Sequence, residues 1–180
     1  MYGFLPNAYM PLSFPHPVSS QYGRGPSEAV AEIHGGPLAP HIRGYVVFTD
    51  VPYGCDVFIE VSGLPPYQPA RDGQQPIGPI SFHLHENGSC AVGDPNNPFL
   101  AAGEHWNPTR QPHGNHAGDF PVLFSNDGYA RMTFFTNKLS AAEAVGKTVI
   151  LHQNPDDFRS QPSGNAGKRL ACGLVQASYM

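Results

Sequence analysis

From Ser27 onward the chain is punctuated at short intervals by Gly, Pro, Asn and Asp, and between these breaks lie runs rich in Val, Ile, Phe, Tyr and Thr. Such runs are too short for helices and match half-buried strands. They predict eight strands: Ala29–Ile33, Ile42–Thr49, Asp56–Val61, Ile80–His85, Val122–Phe124, Tyr129–Thr136, Thr148–His152 and Leu170–Gln176. Pro52-Tyr53-Gly54 and Asn126-Asp127-Gly128 read as tight hairpin turns between strands two and three and between strands five and six. Eight short strands make a sandwich or flattened barrel. Three connections are long, Leu64–Pro79, Glu86–Phe120 and Gln153–Arg169. A stretch as long as the second needs a function, or an anchor other than a hydrophobic core. Residues 1–26 carry five prolines, no charge before Arg24 and no sustained period, so they read as an extended or disordered arm ahead of a domain at 27–180.

Composition sharpens the fold class. With 20 Gly, 20 Pro and 13% charged residues in 180, long helices are disfavoured, and the length suits one domain with a substantial core. The formal net charge is −4 with no run of basic residues, which removes the electrostatic footprint of a nucleic-acid binder. No apolar stretch approaches the ~20 residues of a membrane span. The first basic residue is Arg24, so no signal peptide is visible. The expected location is therefore intracellular, or spore- or surface-associated by a non-secretory route, unless the chain is a processed exported form. Cys55, Cys90 and Cys172 allow one disulfide with one thiol left over, and spacing does not choose the pair.

Chemistry concentrates between His83 and His152. His83 and His85 stand at i and i+2 of a predicted strand, so both imidazoles project from one face. Alone, such a pair is more often two solvated side chains than a metal site. His113-Gly114-Asn115-His116-Ala117-Gly118-Asp119 places two imidazoles and a carboxylate in a glycine-bearing segment able to fold around a tetrahedral ion. Adding His105 and His152 gives seven ligands, and seven ligands supply eight bonds to two four-coordinate ions only if one imidazole bridges. Copper and zinc favour such imidazole sets. His16, His34 and His41 fall outside the set.

These residues resemble the copper/zinc superoxide dismutase family, of bacterial type. The resemblance is carried by Phe82-His83-Leu84-His85-Glu86, Gly103-Glu104-His105-Trp106-Asn107-Pro108, His116-Ala117-Gly118-Asp119, Leu151-His152 and Ser163-Gly164-Asn165-Ala166-Gly167-Lys168-Arg169-Leu170-Ala171-Cys172-Gly173. It runs in order from about Ala29 to Val175. It implies an all-β, eight-stranded Greek-key β-sandwich or flattened barrel, immunoglobulin-like, with long metal-binding loops. It also implies that His83, His85, His105 and His152 hold copper, that His105, His113, His116 and Asp119 hold zinc, and that His105 is the shared imidazolate. Asp156 matches a carboxylate that joins a copper ligand to a zinc ligand, Arg169 the arginine that receives the substrate anion, and Cys90 with Cys172 the family disulfide. Cys55 is left as a small buried apolar group at a strand start.

The implied activity is conversion of superoxide to oxygen and hydrogen peroxide, with His105 and Arg169 as catalytic residues and copper and zinc as cofactors. The alternative is a non-catalytic copper/zinc-binding structural component of a cell or spore surface. The sequence leaves open a homodimer and a surface-assembly partner for the aromatic N-terminal arm. Three features depart from the family pattern: only two residues separate His113 from His116, the Gln153–Arg169 connection holds few basic residues, and Glu104 precedes the bridging position.

Overall fold

The structure is a computed structural model that describes residues 25–178, so the arm at 1–26 and His16 lie outside the described residues, apart from the arm's last two positions. Seven strands form one curled antiparallel sheet: β1 (Glu28–Gly35), β2 (Arg43–Val51), β3 (Gly54–Ser62), β4 (Phe82–His85), β5 (Ala130–Thr136), β6 (Thr148–His152) and β7 (Arg169–Ala177). Their order across the sheet is β4-β6-β7-β1-β2-β3-β5. Alternation sets the inner face. Ala29, Ala31 and Ile33 of β1, Val46 and Phe48 of β2, and Val57, Ile59 and Val61 of β3 are buried, while their neighbours along each strand are less so. Phe82, Phe120 and Phe134 fill the middle of the core, with ring centroids 5.3 and 5.2 Å apart along that series.

The eighth expected strand, Val122–Phe124, is reduced to one bridge between Ile80 and Leu123. Pro121 carries no amide hydrogen and Phe124 is 68% exposed, so neither flank supports a ladder. The segment still starts against the β4 side, at Asp119 and Leu123, and enters β5 at the opposite edge of the sheet. It therefore ties the two edges together and curls the sheet toward a barrel. Both expected hairpin turns are present: Pro52 and Tyr53 link the Val51–Gly54 pair, and Asp127 and Gly128 link Asn126 to Tyr129. Asp127 and Gly128 both have positive φ, the geometry that a two-residue hairpin favours.

A single-turn helix, α1 (Ala141–Ala144), was not expected. Its signal is the capping box at Ser140 and Glu143, each side chain taking up the other residue's free amide. Cys55 is fully buried at the start of β3, as expected, and burial together with the nearby Asp50 charge raises its thiol pKa to about 12. The Leu64–Pro79 connection folds on itself through bridges Gln68–Ile77 and Arg71–Gln74.

Candidate metal centre

Strand β4 is buried along its whole length, so His83 and His85 are not the solvated pair that such spacing usually gives. One edge of β4 pairs with β6; along the other, the Glu86–Phe120 connection folds back. Trp106 N–H donates to Leu84 O at 2.7 Å and Leu84 N–H donates to Gly118 O at 3.0 Å. These bonds bring His105 opposite His85 and Asp119 opposite His83. The approach requires glycine at 118, where a Cβ would stand 2.2 Å from Leu84 O. The start of the same connection, just beyond β4, is pinned by the Cys90–Cys172 disulfide.

His152 ends β6 at a bulge. Leu151 pairs with Ala171 but His152 pairs with Arg169, leaving Leu170 as the extra residue. The bulge brings the imidazole and the guanidinium to one place, a common use of such irregularities.

Two donor groups result. The first is His83, His85, His105 and His152; the second is His105, His113, His116 and Asp119; within each, one ligand atom per residue lies within 4.8 Å of the others. All the expected ligands are thus brought together, and His105 belongs to both groups. Four of the nitrogens facing inward, His83 Nδ1, His105 Nε2, His113 Nδ1 and His116 Nδ1, are buried without a hydrogen-bond partner, and His85 Nε2 and His152 Nε2 face each other at 3.3 Å. Buried polar atoms are rarely left so. His113 Nδ1 and His116 Nδ1 each lie 3.2 Å from Asp119 Oδ1, which places three ligand atoms around one point. This donor chemistry fits two borderline-soft cations.

The outward nitrogens are all but one engaged. Asp156 accepts from His83 Nε2 at 2.7 Å and from His113 Nε2 at 2.9 Å, so one buried carboxylate orients one imidazole of each group. His85 Nδ1 donates to Gly103 O at 2.9 Å and His152 Nδ1 to Gly167 O at 3.5 Å. These bonds fix the tautomers and leave His83 Nδ1, His85 Nε2 and His152 Nε2 with free lone pairs. Burial, reinforced by neighbouring imidazoles, drives the pKa values of His83 and His85 well below the usual histidine range and that of His152 to about 3. The three rings are neutral at neutral pH. Burial of Asp119 opposes its ionisation, but hydrogen bonds from His105 and from the His116 amide outweigh it, and its pKa falls.

Arg169 is half-buried, donating from Nη1 to Phe99 O at 2.6 Å and from Nη2 to Gly103 O at 2.7 Å. The short His113–His116 turn closes around Asp119 Oδ2, which accepts from Gly114 N–H at 2.8 Å and His116 N–H at 2.9 Å. Gln161, which the sequence did not single out, grips the same turn: His113 N–H donates to its Oε1 at 2.8 Å and its Nε2 donates to His113 O at 3.3 Å. Its only sequence signal is its place in the Gln153–Arg169 connection.

The sequence model of copper/zinc superoxide dismutase (SODC) matches residues 42–175. The chain belongs to that family. A Cu-Zn superoxide dismutase of Deinococcus radiodurans is 34% identical over 153 residues, 76% of this chain and 78% of that protein. One from Aquifex aeolicus is 36% identical over 138 residues, 68% of this chain and 73% of the relative. In three dimensions the chain resembles the Cu/Zn superoxide dismutase of Brucella abortus, with TM-score 0.65 and 29% identity over 82% of this chain and 98% of that one. The superoxide dismutase match spans β2 to β7 and every donor residue described above.

Proposed function

We propose that in this superoxide dismutase His83, His85, His105 and His152 hold copper, and that His105, His113, His116 and Asp119 hold zinc. The reaction is the family's: two superoxide anions and two protons become oxygen and hydrogen peroxide. When bound, copper would supply one-electron exchange with superoxide, and zinc would supply a fixed positive charge held by the second donor group.

The chain's own residues prepare the site. The low proton affinities of His83, His85 and His152 keep their lone pairs free at neutral pH. Asp156 holds His83 and His113 at fixed orientation through one carboxylate, so the two groups keep their spacing. Arg169 stays charged despite its partial burial, and its planar fork is held by two carbonyls beside His152, where it offers a cation to a small anion. Because those carbonyls take one guanidinium nitrogen each, the arginine is positioned before substrate arrives and loses little freedom on binding it.

The observation that carries this assignment is the shared membership of His105 in both donor groups, with its Nε2 buried and unpaired. Metal analysis after loading with copper and zinc is expected to give one of each per chain, with superoxide dismutation. The His105→Ala variant is expected to change the copper electron paramagnetic resonance spectrum and reduce dismutation. A spectrum matching the parent's removes His105 from the copper set. Arg169→Ala is expected to retain both metals and lose rate; unchanged dismutation at low salt would remove the arginine from the reaction and favour a metal-binding structural role.

A further inference from the structure

Arg169 has a charged neighbour that the reaction described above does not use. Gly103 O accepts from both Arg169 Nη2 and His85 Nδ1, and the next residue is Glu104. Standard bond lengths from that carbonyl keep the Glu104 carboxylate within about 10 Å of the guanidinium. The Glu104 side chain is exposed and makes no hydrogen bond or ion pair among the described residues, so its charge is not spent on a partner. Its backbone, in contrast, is fixed: Glu86 N–H donates to Glu104 O at 3.0 Å, and Glu104 N–H donates to Glu86 Oε1 at 3.3 Å. A second carboxylate is thereby held at the same position. Glu104 also acts on Arg169 as a charge, partly offsetting the loss of proton affinity that burial imposes on the guanidinium.

Resting on the assignment of Arg169 as the anion-receiving group, we infer that Glu104 sets the site's attraction for anions, its free negative charge beside Gly103 opposing Arg169 and lowering both superoxide capture and the binding of other small anions. A carboxylate at about 10 Å in water changes the affinity of a monovalent anion by about twofold. The same charge weakens competing monovalent anions by the same factor as it slows substrate, so Glu104 exchanges rate for a lower occupancy of the site by such anions. The effect is screened when the Debye length, ~30 Å at 0.01 M salt, falls to ~3 Å at 1 M.

The test uses copper- and zinc-loaded protein, with rates expressed per bound copper, and azide as the anion probe followed through the copper spectrum. At ~0.01 M ionic strength, Glu104→Gln is expected to bind azide about twofold more tightly and to raise kcat/KM for superoxide about twofold, with both differences vanishing near 1 M. Glu104→Asp, which keeps the charge, is expected to match the parent. Equal azide affinity in parent and Glu104→Gln at low salt overturns the inference, as does a gain shared by Glu104→Asp or one that persists at 1 M. A parent that holds both metals but neither dismutates superoxide nor binds azide overturns the anion-site reading itself, and this inference with it.

Discussion

Asp156 and Gln161 both reach across from the Gln153–Arg169 connection to hold His113, one at the ring and the other at the backbone. The short His113–His116 turn has little chain with which to wrap an ion, and these contacts supply the missing constraint from outside. Gln161→Ala is expected to weaken zinc binding about tenfold, the loss of one to two neutral hydrogen bonds, while copper content stays unchanged. A competitive chelator titration measures it, and equal zinc affinity would show that the turn holds its shape unaided. Gly164 sets a sterically stricter limit: its φ is +65°, and a Cβ there would stand 1.9 Å from Asp156 Oδ1 and 2.5 Å from His113 Nε2. The residues of the two donor groups were legible in the sequence because imidazole chemistry leaves a residue-type signature. Gln161 was not, because a glutamine in a polar loop looks like any other until the fold brings it to His113.

The Glu86–Phe120 connection carries four of the seven residues in the two donor groups and has only one three-residue turn of 3-10 helix, Leu100–Ala102, to stiffen it. It is held by its backbone bonds to β4 and by the Cys90–Cys172 bridge, which spans 82 residues of sequence and packs beside Phe99, Ala102 and Ile150. Cys90→Ser is expected to lower unfolding stability by about 2–4 kcal/mol, read as a fall in the urea midpoint, and to speed loss of metal to chelator. Unchanged metal retention would show that the β4 bonds anchor the ligands without the bridge. Seven of the eight expected strands were recognised, because buried and exposed positions alternate in β1, β2 and β3 as the pattern of apolar residues does. Val122–Phe124 misled because three apolar residues satisfy a strand template without the paired neighbours that a ladder needs. The bulge at His152 and Arg169 left no mark in the pattern, since it depends on register against β7 and not on residue type.

Across the whole molecule, six imidazoles are buried together, a placement that costs stability whenever a proton must be refused. Desolvation is the main cause of the depressed proton affinities of His83, His85 and His152, so the folded metal-free protein keeps these rings neutral where an unfolded chain would protonate them. The unfolded value lies near ~6.5. Above it neither state takes up the proton, and the stability these rings contribute is complete. As the pH falls below it the unfolded chain gains protons first, so stability is lost progressively down to the folded value, about 3 for His152. Asp119, also depressed, adds its loss only at lower pH, below the ordinary carboxylate value near ~3.9. Urea unfolding of the metal-free protein at pH 7.5, 6 and 5 (chosen roughly to bracket the histidine value) is therefore expected to show falling midpoints. The slope reaches at most about 1.4 kcal/mol per pH unit for each of the three rings. Loading both metals is expected to raise the midpoint most at pH 7.5 and progressively less as protons compete for the same nitrogens. A midpoint independent of pH between 7.5 and 5 would mean that the rings accept protons in the folded state, and a site that does so would not be held ready for metal at neutral pH.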